Sequence, residues 1–404
     1  MTSVLTDVKK AYVIQTDDEA IQIAKEVAAE FSKTASQRDM ERIMPYEEVE
    51  TLSQAGLTAI TVPKEYGGAG VSNVTIAEVT KILSSGDSSL GQIPQNHLYL
   101  VEALKLDGTD EQKQFFFNEV LQGKRFGNAF SERGNKNVND IRTRLERSES
   151  GYVINGRKYY STGALFAHWI PVLCMHEVDG EDKAFVVFVD RNGSGVEIID
   201  DWACFGQKAT GSGSSVFTNA PVKDEHLLPH YLAFDRPTPM GPFSQILHAA
   251  VDVGIADAAF QEAVKFVRGN PKPWIDSGVE YNFEDPLLIH KFGEMALKLH
   301  SAEAILRRSG EYIDKAMVDM TADTVAEASI AVAEAKAIAE EAAIFIANGL
   351  FEVSGTRSTL DKLNLDRHWR NARAHTLHDP SRWKYYAVGN FYLNGVNPPR
   401  HSYI

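Results

Sequence analysis

Apolar positions in the first part of the chain recur three and four residues apart. Ile21, Ile23, Ala24, Val27, Ala28 and Phe31 fall on one helical stripe, opened by the acidic run Asp17-Asp18-Glu19. Pro45 stands at the first turn of a second such stretch, which runs through Val49, Leu52 and Ala55. Residues 62–70, V-P-K-E-Y-G-G-A-G, then break the pattern with a proline and three glycines. A glycine cluster can cradle phosphate, but no strand-then-helix unit frames this one, so a turn is the preferred reading.

Between about 126 and 221 the period drops to two. Tyr152-Val153-Ile154, Asn155-Gly156 and Lys158-Tyr159-Tyr160 predict two strands joined by a tight turn at Asn155-Gly156. Alternation continues through 184–189 and 195–199 and ends in the Gly/Ser-rich run 211–217, predicting a small β domain of barrel or sandwich form. After Pro239 the helical period returns over 246–267, 286–312 and 324–351, with charged residues between the apolar stripes as in long bundle helices.

At 404 residues the chain has room for two to three domains. Hydrophobic residues at 44% and charged residues at 24% are ordinary globular usage. A net charge of -14 with no long basic run argues against a nucleic-acid partner. The two cysteines, Cys174 and Cys204, provide neither a disulfide framework nor a C-x-x-C pair. The first ten residues lack an apolar core of signal-peptide length, and the Ala/Ile-rich run 325–350 is interrupted by Glu and Lys. A reduced, cytoplasmic protein that does not span a membrane is expected.

Near the end of the chain, the run Arg370-Asn371-Ala372-Arg373-Ala374-His375-Thr376-Leu377-His378-Asp379-Pro380 concentrates groups of catalytic type. His375 and His378 share a face if the segment is helical, but no carboxylate or cysteine set completes a site around them, so no metal is assigned. The run resembles the R-D-A-K/R and Y-E-G-T loop of the acyl-CoA dehydrogenase superfamily. His378-Asp379 stand where that family has Tyr-Glu, the Glu being its α-proton base, and Pro380 replaces the Gly. Four further motifs stand in register with the family: the loop 62–70, S-S-L-G-Q-I-P at 88–94, N-A-F-S-E at 128–132, and N-G-R-K-Y-Y-S-T-G at 155–163.

The resemblance implies an α+β fold with an N-terminal helical domain (1–125), a middle β-barrel or sandwich domain (126–236) and a C-terminal four-helix bundle (237–404). It also implies that Asn128 and Ser131 contact a flavin, that Tyr160 packs on it with Trp202 as a second aromatic wall, and that Thr162 lies beside its N5. The family's adenosine-binding patterns are absent: 267–274 reads V-R-G-N-P-K-P-W and 351–358 reads F-E-V-S-G-T-R-S. A helix should stop near Gly269 to Pro271. Lys272, Gly355, Thr356, Arg357 and Ser358 are then candidates for holding one terminal phosphate, which fits FMN better than FAD.

The pattern H-D-P-x-R-W-K, G-N and P-P-R-H between His378 and His401 resembles the dibenzothiophene-monooxygenase-like branch of that superfamily, with the nearest likeness to SfnB-type sulfur-acquisition oxidoreductases. Membership implies a monooxygenase that takes reduced FMN from a separate flavin reductase and O₂. It would oxidise a small organosulfur compound through a C4a-hydroperoxyflavin. It also implies a homotetramer whose flavin sites borrow residues from a neighbouring subunit. His97, His375 and His378 are the candidates for moving protons, since imidazole titrates near neutral pH, with Asn128 and Thr162 as polar groups at the reacting edge and His378 also against the flavin. Two bland readings stand beside these: His97 as a satisfied helix histidine, and Asp379 as a turn residue before Pro380. An FAD-dependent acyl-CoA dehydrogenase using Asp379 as base is the alternative activity, and a flavin-binding protein without catalysis a distant third.

Overall fold

A computed structural model describes residues 11–138, 140–149 and 151–404. Among the described residues seven helices come first: α1 (Asp17–Ser32), α2 (Ala35–Glu41), α3 (Tyr46–Gln54), α4 (Asn73–Gly86), α5 (Ser88–Gln92), α6 (Gln95–Asp107) and α7 (Asp110–Leu121). Thr16 caps α1 by accepting from the Glu19 N–H, and Ala20, Ala24, Val27, Ala28 and Phe31 are buried, so most of the predicted stripe faces the core. The loop 62–70 is a turn. A Cβ on Gly68 would lie 2.1 Å from the Val62 carbonyl oxygen, so that glycine serves a close backbone approach.

Seven strands follow among the described residues: β1 (Arg144–Ser148), β2 (Gly151–Lys158), β3 (Trp169–Val178), β4 (Glu181–Asp190), β5 (Val196–Ile199), β6 (Ser214–Val222) and β7 (Leu227–Leu228). They form one mixed sheet in the order β5-β6-β2-β1-β3-β4-β7, with β1 and β3 parallel and the other neighbours antiparallel. Leu145, Ile154, Val172, Cys174, Val187 and Phe217 from five strands share one apolar core. The sheet therefore wraps around its own interior while β5 and β7 remain its two edges.

The predicted tight turn at Asn155-Gly156 is not there. Both residues lie inside β2, and the hairpin closes between Ser148 and Gly151 instead. The register of β2 against β6 shifts between Ile154 and Gly156, so the pair marks a bulge. A Cβ on Gly156 would sit 2.4 Å from Thr143 Oγ1, and the Asn155 amide pairs with Asn219 across the sheet at 3.1 Å. Close packing and a side-chain pair produced the residue types that otherwise signal a turn.

The chain ends in helices: α8 (Leu232–Asp235), α9 (Met240–Gly269), α10 (Pro286–Val318), α11 (Ala322–Ser354), α12 (Asp366–His375) and α13 (Arg382–Asn394). As expected, α9 stops at Gly269, immediately before Asn270-Pro271. Ion pairs Lys291–Glu352, Lys298–Glu341 and Lys315–Glu327 run antiparallel along α10 and α11. That places α11 parallel to α9, with Lys336 against Asp252. α12 runs back along α9, from Arg367 at Glu262 to His375 at Asp252. Among the described residues no helix is long and apolar enough to cross a membrane.

Candidate active site

A cavity of about 190 Å³ opens where α6, the rim of the sheet, α9 and the C-terminal tail meet. Tyr99 comes from α6, Asn128 and Ser131 from the segment before β1, Ser244 and His248 from α9, His378 from the turn after α12, and Tyr403 from the tail. Arg370 anchors that turn's helix by pairing with Asp39, while Asn371 Oδ1 accepts from the Gln207 N–H at 2.8 Å. The arginine and asparagine of the motif are thus scaffold.

His378 stacks on His248, ring centroids 3.9 Å apart. Its Nδ1 lies 3.1 Å from Asp379 Oδ1, and a carboxylate can only accept, so Nδ1 donates and Nε2 is the nitrogen left for the cavity. Asp379 is buried and also pairs with Lys384 at 3.0 Å. Burial pushes its carboxyl up, but His378, Lys336 and Lys384 outweigh burial and hold it well below the usual carboxylate range. It is a fixed anion whose proton affinity is held far below the near-neutral value that suits a proton-abstracting base.

His97 does not reach this cavity. Its ring is 2% exposed, Nε2 donates to the Thr58 carbonyl at 2.8 Å and Nδ1 accepts from the Phe126 N–H at 3.0 Å. Burial lowers its pKa to about 4. With both nitrogens bound to backbone it joins α6 to the start of the sheet domain, and the catalytic reading of His97 is corrected to a structural one. His375 is likewise moved back one layer: it is fully buried behind His248, between that ring and Asp252.

The predicted flavin-contacting residues share the rim beside the cavity. Asn128 Nδ2 donates to the Tyr160 carbonyl at 3.3 Å, and its buried Oδ1 has no hydrogen-bond partner. The Tyr159 N–H donates to the Ser131 carbonyl at 2.8 Å. Tyr160 adopts a left-handed backbone, φ 56°, rare for a bulky residue, and its exposed ring meets Trp202 edge-on, centroids 6.0 Å apart. Thr162 Oγ1 and Ser212 Oγ are 2.7 Å apart. Lys158 and Glu132, paired at 2.7 Å with both side chains buried, brace this rim. An unpartnered amide oxygen, two hydroxyls and an exposed aromatic face suit a planar heterocycle with hydrogen-bonding edges, so the residues fit a flavin ring held by Asn128, Ser131, Tyr160 and Thr162.

The predicted phosphate residues are elsewhere. Lys272 lies beyond the end of α9, about 30 Å from His248 at 1.5 Å rise per residue, and Gly355 to Ser358 follow the matching end of α11. Gly355, Thr356 and Arg357 are exposed, whereas Ser358 is 2% exposed and its hydroxyl donates to the Gly355 carbonyl at 2.6 Å. One chain therefore gathers the ring-facing group at one end of α9 and the phosphate candidates at the other. In Ser358 the hydroxyl is turned inward to close its own turn, which corrects its reading as a phosphate donor.

Sequence reasoning missed His248, Asp252, Lys336 and Lys384. A signal was present: His248 and Asp252 are the polar residues, four apart, in the otherwise apolar stretch 246–256 of α9, a spacing that puts both on one face.

Family models for the acyl-CoA dehydrogenase N-terminal, middle and C-terminal domains match residues 17–124, 129–220 and 246–382. Dibenzothiophene monooxygenase of Rhodococcus erythropolis is 33% identical over 397 residues, covering 95% of both chains. The probable FMNH2-dependent monooxygenase SfnC of Pseudomonas putida is 30% identical, covering 94% of this chain and 96% of its own. The crystal structure of FMN-bound TdsC from Paenibacillus sp. A11-2 superposes with a TM-score of 0.91 at 30% identity, covering 95% and 100% of the two chains.

Proposed function

The chain belongs to the acyl-CoA dehydrogenase family, and from that premise we propose that it is a flavin-dependent monooxygenase using reduced FMN and O₂ on a small organosulfur compound in sulfur acquisition. The carrying observation is the change at the family's Tyr-Glu pair: a cavity-lining histidine, His378, stands at the Tyr position, and the carboxylate at the base position, Asp379, is locked as an anion against it and Lys384. Full-length similarity to dibenzothiophene monooxygenase and to SfnC supports the substrate class and the cofactor.

Bound at the rim, reduced FMN supplies the two electrons that activate O₂. The chain's own residues do the rest. Asn128 and Thr162 orient the ring edge, and Tyr160 and Trp202 flank it. Phe130, Leu173 and Phe234 give the cavity an apolar wall for the substrate. His378, doubly protonated with its Nδ1–H held by Asp379, gives the Nε2 proton to the developing oxygen charge and is left neutral with its proton on Nδ1.

Because Lys272 and Arg357 stand a helix length from the rim, they would hold the phosphate of a flavin seated in a neighbouring copy, in a cytoplasmic homotetramer fed by a separate reductase. Purified protein supplied with chemically reduced FMN, O₂ and dibenzothiophene or a small alkyl sulfur compound should form oxygenated product. Reduction of bound flavin by acyl-CoA without O₂, with no oxygenated product from any sulfur compound, would overturn the reading.

A further inference from the structure

His378 is not alone in the cavity wall. His248 lines the same cavity, and its Nδ1 lies 3.3 Å from His375 Nε2. His375 Nδ1 lies 2.6 Å from Asp252 Oδ1, and Asp252 Oδ2 receives the Lys336 ammonium at 2.8 Å. Asp252, Lys336 and His375 have fully buried side chains, which makes this an internal chain of groups leading away from the cavity, with no part yet in the proposed reaction.

The protons of the chain follow from charge. Asp252 is already paired with Lys336, which also meets Glu340 at 2.7 Å, and Asp379 is paired with Lys384 and His378, so a resting cation on His248 or His375 would have no unpaired anion of its own and both imidazoles are neutral. Asp252 accepts, hence His375 carries its proton on Nδ1. The bare Nε2 of His375 then accepts from His248 Nδ1, and His248 is left with a bare Nε2 at the cavity.

We propose that His248, His375 and Asp252 form a proton relay in the cavity wall, in which His248 accepts a proton opposite the donor His378, with His375 and Asp252 as its positioning residues. This rests on the reading of the cavity as the catalytic site. When a cavity group gives a proton to His248 Nε2, that N–H bond forms and the His248 Nδ1–H bond breaks as its proton passes to His375 Nε2. The positive charge comes to rest on His375 against Asp252, and the reverse shift returns the proton. His375 and Asp252 thereby make a buried ring a usable base, although burial, His378, His375 and Lys336 all oppose charge on His248 itself. The groups facing His248 are His375 from α12, His378 and Asp379 from the following turn, and Lys336 from α11. With the two rings stacked at 3.9 Å, charge on His378 opposes charge on His248, so the donor ring and the acceptor ring are kept in different protonation states.

The test begins with the flavin-free wild-type protein, so no variant has to fold. Histidine ¹⁵N spectra at neutral pH should show His248 and His375 both protonated on Nδ1 with Nε2 bare, and His97 in the opposite tautomer as an internal reference. A proton on His248 Nε2, or a doubly protonated His375 at rest, overturns the relay. His248→Gln, which keeps a donor toward His375, should lower oxygenated product per reduced FMN by about 10²-fold with KM for the sulfur substrate within about twofold, and Asp252→Asn should shift the pH profile of kcat. Unchanged turnover in His248→Gln reduces the chain to a structural element and also overturns the proposal. If wild type itself makes no oxygenated product, the functional reading fails while the tautomers still judge the relay.

Discussion

His97 and His378 differ in what their ring nitrogens have left to give. Both nitrogens of His97 are bound to backbone, whereas His378 commits one to Asp379 and turns the other to the cavity. His97→Ala should therefore cost roughly 2–5 kcal/mol, because two buried backbone groups and a packed ring lose their partner, while the ratio of product to hydrogen peroxide stays near wild type. Chemical denaturation paired with peroxide quantification separates the two effects, and a raised peroxide yield at unchanged stability would return His97 to the chemistry. Sequence alone offered both His97 and His378 for moving protons, with a satisfied helix histidine as the bland reading of His97. The difference lies in Thr58 and Phe126, which the fold brings to His97 from 39 and 29 residues away, and no local pattern encodes such partners.

Elements were legible where one periodicity dominated. The stripes of α1, α9, α10 and α11 follow from apolar spacing, and the stop of α9 from Gly269 and Pro271. They were misread where two causes give one residue signature, as at Asn155-Gly156, a bulge rather than a turn. Lys158 illustrates what the strand pattern hides: a charged residue with no exposed side-chain surface, paired to Glu132 and donating to the Phe130 carbonyl at 3.1 Å. Lys158→Met should leave Glu132 uncompensated and cost about 3–5 kcal/mol, with loosened flavin binding as the rim segment Phe130 to Glu132 loses its brace. A melting temperature within a degree or two of wild type would contradict that brace.

Across the whole molecule the buried histidines set the response to acid. Burial lowers the pKa of His97, His168 and His230 to about 4, and those of His248 and His368 well below 6.5. The unfolded chain takes up protons below pH ~6.5 where the folded one does not, so this stability is complete above pH ~6.5 and is lost as pH falls toward ~4. Glu132, lowered to about 2 by Lys158 and its other hydrogen-bond partners despite burial, adds a second loss below pH ~4.5. Thermal melts at pH 7.5 and 5 should show the lower midpoint at pH 5, and equal midpoints would refute the assignment of these histidines as buried and neutral. If the rim residues hold the flavin ring and Lys272 and Arg357 the phosphate of a flavin in a neighbouring copy, as proposed, Lys272→Ala with Arg357→Ala should weaken FMN binding at least about tenfold, ~1.4 kcal/mol, in an oligomer. Light scattering that gives a fully active monomer would contradict the borrowed site.

In this family's scaffold His378 has taken the Tyr position as a proton donor, and the carboxylate at the base position, Asp379, only holds it. A single turnover of reduced FMN with O₂ and an organosulfur substrate, scored for oxygenated product and hydrogen peroxide in wild type, His378→Ala and Asp379→Asn, tests it most directly. Mainly oxygenated product is expected from wild type, about 10²-fold less from His378→Ala with a matching rise in peroxide, and an intermediate loss from Asp379→Asn. Full product from His378→Ala, or flavin reduction by acyl-CoA that depends on Asp379, would contradict it.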